Sequence, residues 1–220
     1  MKNIIKKSAM VVTAMVTAVS AGAFTYNGDL LVGFTKQSGS DVIYDIGPAS
    51  ALYEGKQWNL NSALSGFNLN TVYWGVIGDK NLAGTRAAWN TTVGLSVSST
   101  AAWGKLDTAT KSIYQNFTVS GTEGDLFSIL ASDDNSWNSQ TIVGSLATQF
   151  HNVYGDPNVQ GTTSASFYSE VANNSAPTQL SNFALDSGGV LTYGVVPEPT
   201  SAALLGLGSL VILFRRSSKN

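Results

Sequence analysis

Between Asp29 and Val195 the chain returns repeatedly to short runs in which β-branched, aromatic and aliphatic residues alternate with polar ones, each closed by turn formers. Alternation of period two sends successive side chains to opposite faces of an extended backbone, so it commits each run to a half-buried strand. The pattern predicts strands at Asp29–Thr35, Asp41–Ile46, Thr71–Ile77, Thr91–Ser98, Ser112–Val119, Ser164–Val171 and Val190–Val195. Gln37-Ser38-Gly39-Ser40, Gly155-Asp156-Pro157-Asn158 and Asp186-Ser187-Gly188-Gly189 punctuate them, and Lys36–Ser40 reads as a hairpin loop. Short helices are expected at Leu60–Gly66 and at Gln140–Tyr154, where Ile142, Leu146, Phe150 and Tyr154 recur at four-residue spacing. There is no internal repeat. The expected fold is all-β: a single β-sandwich or jelly-roll-like domain over residues 24–195, with one or two short helices.

The two ends obey different rules. Lys2, Lys6 and Lys7 precede an apolar run from Ser8 to Ser20, and Ala21-Gly22-Ala23 supplies a small-x-small pattern. Residues 1–23 therefore read as a signal peptide, cleaved after Ala23, with the position after Ala21 as second choice. At the other end, Pro197 and Pro199 fix φ and lack amide donors, so neither helix nor sheet can incorporate Pro197-Glu198-Pro199. Thr200–Phe214 is uncharged, and Arg215, Arg216 and Lys219 close it. Fifteen helical residues reach about 22 Å, short of the roughly 30 Å hydrocarbon thickness, which suits a temporary anchor. The positive-inside rule sets Arg215 and Arg216 in the cytoplasm as a membrane stop and everything before Pro197 outside.

This rigid Pro-Glu-Pro element, apolar span and basic stop, in that order over residues 196–220, resembles the PEP-CTERM sorting signal of Gram-negative bacteria. The resemblance implies export across the inner membrane and transient handling by exosortase, a membrane protease-transpeptidase, close to Pro197, Glu198 and Pro199. Asp29-Leu30-Leu31-Val32-Gly33-Phe34, Tyr44-Asp45-Ile46-Gly47-Pro48-Ala49-Ser50 and Val72-Tyr73-Trp74-Gly75-Val76-Ile77-Gly78 look like recurring phrases of one group of such exported proteins, which brings no established activity with it.

Charge narrows the function. Between Phe24 and Val196 six lysines and arginines face thirteen carboxylates, a net charge near −7 without a basic cluster. Nucleic-acid binding thereby loses its largest energetic contribution. Cysteine is absent, which excludes disulfides, thiolate metal sites and a cysteine nucleophile together.

Catalytic constellations are thin. His151 is the one histidine, its neighbours form no nucleophile elbow, and no G-x-S-x-G occurs. Asp45, Glu54, Glu123, Asp125, Asp133, Asp134 and Glu170 are candidates for a paired-carboxylate site, but no spacing singles out two of them. Asp133-Asp134-Asn135 is the densest run of oxygen ligands, a candidate calcium loop or a solvated acidic turn. Of the five tryptophans, Trp74 reads as core, while Trp137, flanked by Asp134, Asn135 and Asn138 in an expected loop, is a candidate for stacking on a sugar, with Asn138 taking hydroxyls. The leading expectation is a non-enzymatic exported protein of the envelope or extracellular polysaccharide (biofilm) matrix, without a cofactor. The alternatives are a carbohydrate-binding module and, behind it, a polysaccharide-degrading enzyme.

Overall fold

The computed structural model describes residues 28–80, 86–91, 100–117, 123–147, 151, 155–171 and 177–194. Among these residues ten strands form one antiparallel sheet: β1 (Asp29–Thr35), β2 (Ser40–Pro48), β3 (Gln57–Asn59), β4 (Tyr73–Lys80), β5 (Ala87–Asn90), β6 (Leu126–Leu130), β7 (Val159–Gln160), β8 (Ser164–Val171), β9 (Thr178–Leu185) and β10 (Val190–Tyr193). Their order is β3-β10-β9-β8-β5-β4-β1-β2-β6. Strand β7 also pairs with β4, at Tyr73 and Trp74, while β5 takes the other half of β4 from Ile77 to Lys80. The all-β expectation holds, and the layers come from one sheet that curls.

Alternation explains the curl. Leu30, Val32 and Phe34 of β1, Val42 and Ile46 of β2 and Trp74 and Val76 of β4 share one buried cluster with Phe167, Phe183, Leu191 and Tyr193, which come from strands far along the sheet. One face thus folds over itself around an aromatic centre, where Phe167 and Phe183 meet edge to face at 4.9 Å. The opposite face of β1, β2 and β4 presents Leu31, Ile43 and Ile77 to a second cluster with Leu106, Ile113, Phe117 and Trp137. These strands are buried on both sides, and two helices supply the outer layer: α1 (Thr100–Tyr114) and α2 (Trp137–Thr141).

The strands β1 and β8 have the bounds their alternation predicts. Of the strand expected at Ser112–Val119, the part up to Phe117 is instead the end of α1 and the turn after it, because Leu106, Thr110 and Ile113 share a buried helical face, and residues 118–119 lie outside the described residues. Leu60–Gly66 forms turns, with the Leu64 amide donating to the Leu60 carbonyl at 2.9 Å, and no helix. In place of one helix over Gln140–Tyr154, α2 starts earlier at Trp137 and ends at Thr141, and residues 144–147 are helical again. The strand expected at Thr91–Ser98 falls, after Thr91, outside the described residues. So do Ala21, Ala23, Pro197, Glu198, Pro199, Arg215, Arg216 and the apolar span. Among the described residues no helix is long and apolar enough to cross a membrane.

Candidate functional site

The turn from β1 to β2 and the segment after β6 come together and leave an open groove of about 490 Å³. Thr35 ends β1 by accepting the Gln37 amide on Oγ1 at 2.9 Å. Gln37 then adopts φ 62° and Gly39 φ 73°, two left-handed residues that reverse the chain. The left-handed region suits Gly39 and strains Gln37. The amide of Ala131, just past β6, donates to the Gly39 carbonyl at 2.9 Å and ties the second wall to this hairpin.

That second wall is built on one carbonyl. The oxygen of Ala131 accepts from Ser136 Oγ at 3.0 Å, Asn138 Nδ2 at 3.1 Å and Ser139 Oγ at 3.3 Å. Ser136 also caps α2, accepting the Ser139 amide at 3.0 Å. The Asn138 amide donates to Asp41 Oδ2 of β2 at 2.7 Å, so α2 is fastened to the sheet. Burial raises the Asp41 pKa, and hydrogen bonds from the Thr35 hydroxyl and the Asn138 amide oppose that rise.

Trp137 faces away from the groove. Fully buried, it lays its ring on Gly33 of β1, and its Nε1 donates to Asn158 Oδ1 at 2.7 Å. Asn158 Nδ2 in turn donates to Thr141 Oγ1 at 3.2 Å, holding the end of α2. The expectation of a loop tryptophan open to a sugar is therefore corrected: the ring is core, and no face is left for a pyranose. Asn138 does line the groove, together with Asp134. Its Oδ1 is buried without a hydrogen-bond partner among the described residues. An unanswered buried acceptor costs about 1–3 kcal/mol, so it marks a place where a donor would be welcome.

Asp133 and Asp134 lie on the exposed turn before α2. Asp133 Oδ1 accepts the Asn135 amide at 2.9 Å, an Asx turn, and the Asp134 carbonyl accepts Gln140 Nε2 at 2.7 Å. Among the described residues no group of three or more acids or histidines is placed to hold a metal ion. Alignment of Ser38, Ser132, Ser139, Ser145 and Gln37 along the groove leaves no trace in the sequence beyond the hairpin signal.

The other carboxylates form a buttress elsewhere. The Tyr114 hydroxyl at the end of α1 lies 3.3 Å from both Asp29 Oδ2 and Asp45 Oδ2. Desolvation is the main cause that lifts Asp45 to about 6 and raises Asp29 and Tyr114 as well, and the carboxylates add mutual repulsion. Glu123 Oε1 pairs with Lys56 Nζ at 2.8 Å and accepts Trp58 Nε1 at 3.2 Å. Asp79 of β4 lies under α1, where burial first, then Asp107, push it up to about 8, opposed by Lys111. His151 sets Nε2 against the Thr141 carbonyl, with Asp156 at 3.8 Å. Each of these groups answers to a neighbour in the fold.

Comparison with known proteins addresses the tail. Residues 195–217 match the family model of the PEP-CTERM protein-sorting motif. The motif implies export, processing by exosortase and a location in the cell envelope or at the surface. The chain matches no curated protein and no solved structure.

Proposed function

We propose, starting from the premise that this is a PEP-CTERM protein exported and handled by exosortase, that its body is a non-enzymatic structural component of the extracellular polysaccharide matrix. The observation that carries the reading is the motif at residues 195–217. Residues 1–23 act as the signal peptide, and Thr200–Phe214 anchors the chain until processing near Pro197-Glu198-Pro199. The body suits the role: a disulfide-free, acidic sheet protein keeps its shape without a redox partner and stays soluble among polymers. A passive role is supported at the groove, where among the described residues Asp134 is the one titratable residue of the lining, too few for paired acid–base work.

Replacing Pro197, Glu198 and Pro199 together by alanine tests it in the producing cell. The expected result is loss of C-terminal processing and retention in the membrane fraction, whereas the unaltered chain distributes to the polysaccharide fraction. Unchanged processing and location in the alanine variant would sink the reading of the tail. An unaltered chain found only in the membrane fraction would sink the matrix role.

A second reading, carbohydrate binding, is favoured by the groove and moves the contact away from Trp137. There Asn138 and Asp134 stand with four serines and a glutamine.

A further inference from the structure

We infer that the groove between the Gln37–Gly39 turn and the Asn138–Leu146 wall binds an uncharged, polyhydroxylated chain, a stretch of neutral polysaccharide; this deepens the carbohydrate-binding reading and is separate from the sorting of the tail. Asn138, only 5% exposed, lines the groove, and its Oδ1 has no donor among the described residues. That oxygen is sealed from solvent in this arrangement, so a ligand reaches it by turning the Asn138 side chain toward the groove, and the acceptor then selects a ligand that brings hydrogen to it. Hydroxyls do so, and carboxylates and phosphates, being acceptors alone, do not.

The rest of the lining agrees. Serines at 38, 132, 139 and 145 and the amide of Gln37 offer groups that both donate and accept, which matches hydroxyls in any orientation. Among the described residues the lining carries no lysine or arginine, and Asp134 is its one charge, so an anionic polymer finds repulsion and no counter-charge there. Val143 and Leu146, exposed apolar side chains of the same wall, provide surface for the C–H face of a sugar ring. A volume of about 490 Å³ falls in the range of small-ligand sites, roughly 300–1,000 Å³. Being open, the groove admits the interior of a polymer as readily as its end.

The test uses the isotopically labelled full chain in zwitterionic micelles, since glycosidic detergents would compete. Six-unit cello-, malto- and xylo-oligosaccharides are titrated against an oligouronate of equal length, and amide shifts are followed by NMR. At least one neutral probe is expected to give saturable shifts confined to residues 37–39 and 131–146, with the oligouronate at least tenfold weaker. Asn138→Leu is expected to lower affinity at least tenfold. Because Asn138→Leu threatens the fold, Gln37→Gly, which keeps the turn, serves beside it and is expected to lose about threefold or more. Shifts outside the groove, equal binding of the oligouronate, silence with all three neutral probes, or full affinity in Gln37→Gly would each overturn the inference. Fractionation of the unaltered chain separates the two ideas. Matrix location without oligosaccharide binding rejects the groove alone, and binding by a chain confined to the membrane rejects the matrix role alone.

Discussion

Substituting alanine at Gly33 probes the contact on which the groove's second wall rests. An ideal Cβ there would stand 1.8 Å from Trp137 Cδ2 and 2.0 Å from Cε3. Carbon atoms settle at about 3.5–4.0 Å, so the ring must withdraw by roughly 2 Å. The ring is fully buried, and withdrawal breaks the 2.7 Å bond from Nε1 to Asn158. Overpacking costs about 1–3 kcal/mol and a stranded buried partner about 1–3 more. Ejecting the ring instead forfeits roughly 200 Å² of buried surface, about 5 kcal/mol at 25 cal/mol/Å². The two routes bracket a loss of about 2–6 kcal/mol. Urea unfolding of the full chain, followed by circular dichroism and tryptophan fluorescence, measures it, and a cycle with Trp137→Ala isolates the pair. In the Trp137→Ala background the alanine at 33 is expected to cost less than about 1 kcal/mol. A cost under about 1 kcal/mol for Gly33→Ala alone, or the same cost in both backgrounds, would refute the Gly33–Trp137 contact as the cause.

Three further outcomes are expected. Asp79, normally near 3.8 and lifted to about 8, holds its proton more tightly folded than unfolded, so stability is full below pH 3.8 and declines as pH climbs to 8. Asp79→Asn should flatten that decline and raise the unfolding midpoint at pH 8; an unchanged pH profile would refute the assignment. Tyr114→Phe removes the hydroxyl between Asp29 and Asp45 and should cost about 1–3 kcal/mol. The cost should be larger at pH 8 than at pH 5, where Asp45, at about 6, is mostly protonated, and chemical denaturation at the two pH values decides it. Gln37→Gly relieves a left-handed glutamine at φ 62° and should raise stability by up to about 1 kcal/mol in thermal melts, while weakening oligosaccharide binding.

How far the sequence reveals this molecule depends on whether the signal is local. Strand β8, SASFYSEV, advertises itself by aromatic alternation, and β1 by its run of aliphatic residues. Strand β9, TQLSNFAL, escapes because its first three residues are exposed, and burial reaches it only from Asn182 on, through Phe183 and Leu185. The helix α1 hides behind threonines and Gly104, and its register shows only when Leu106, Thr110 and Ile113 are seen to face the sheet. For Trp137, the polar neighbours suggest a loop, yet Ser136 is the cap that starts a helix and swings the ring inward. Asn138 and Asp134 were legible as a polar pair, but their partners Gln37 and Ser38 sit about a hundred residues earlier and meet them only through the β2–β6 pairing.

The Ala131 carbonyl, where three side chains converge, has a bearing on descent. A hub made of main chain is invisible to any comparison of side chains, since every amino acid brings the same oxygen. Selection at this position can act on size, because Ala131 is buried, and on the path of the chain, but not on functional groups. Relatives that keep the groove are then expected to vary at 131 among small residues while retaining hydrogen-bond donors at 136, 138 and 139. Covariation among those three, rather than identity at the residue they share, would be the inherited mark of the site.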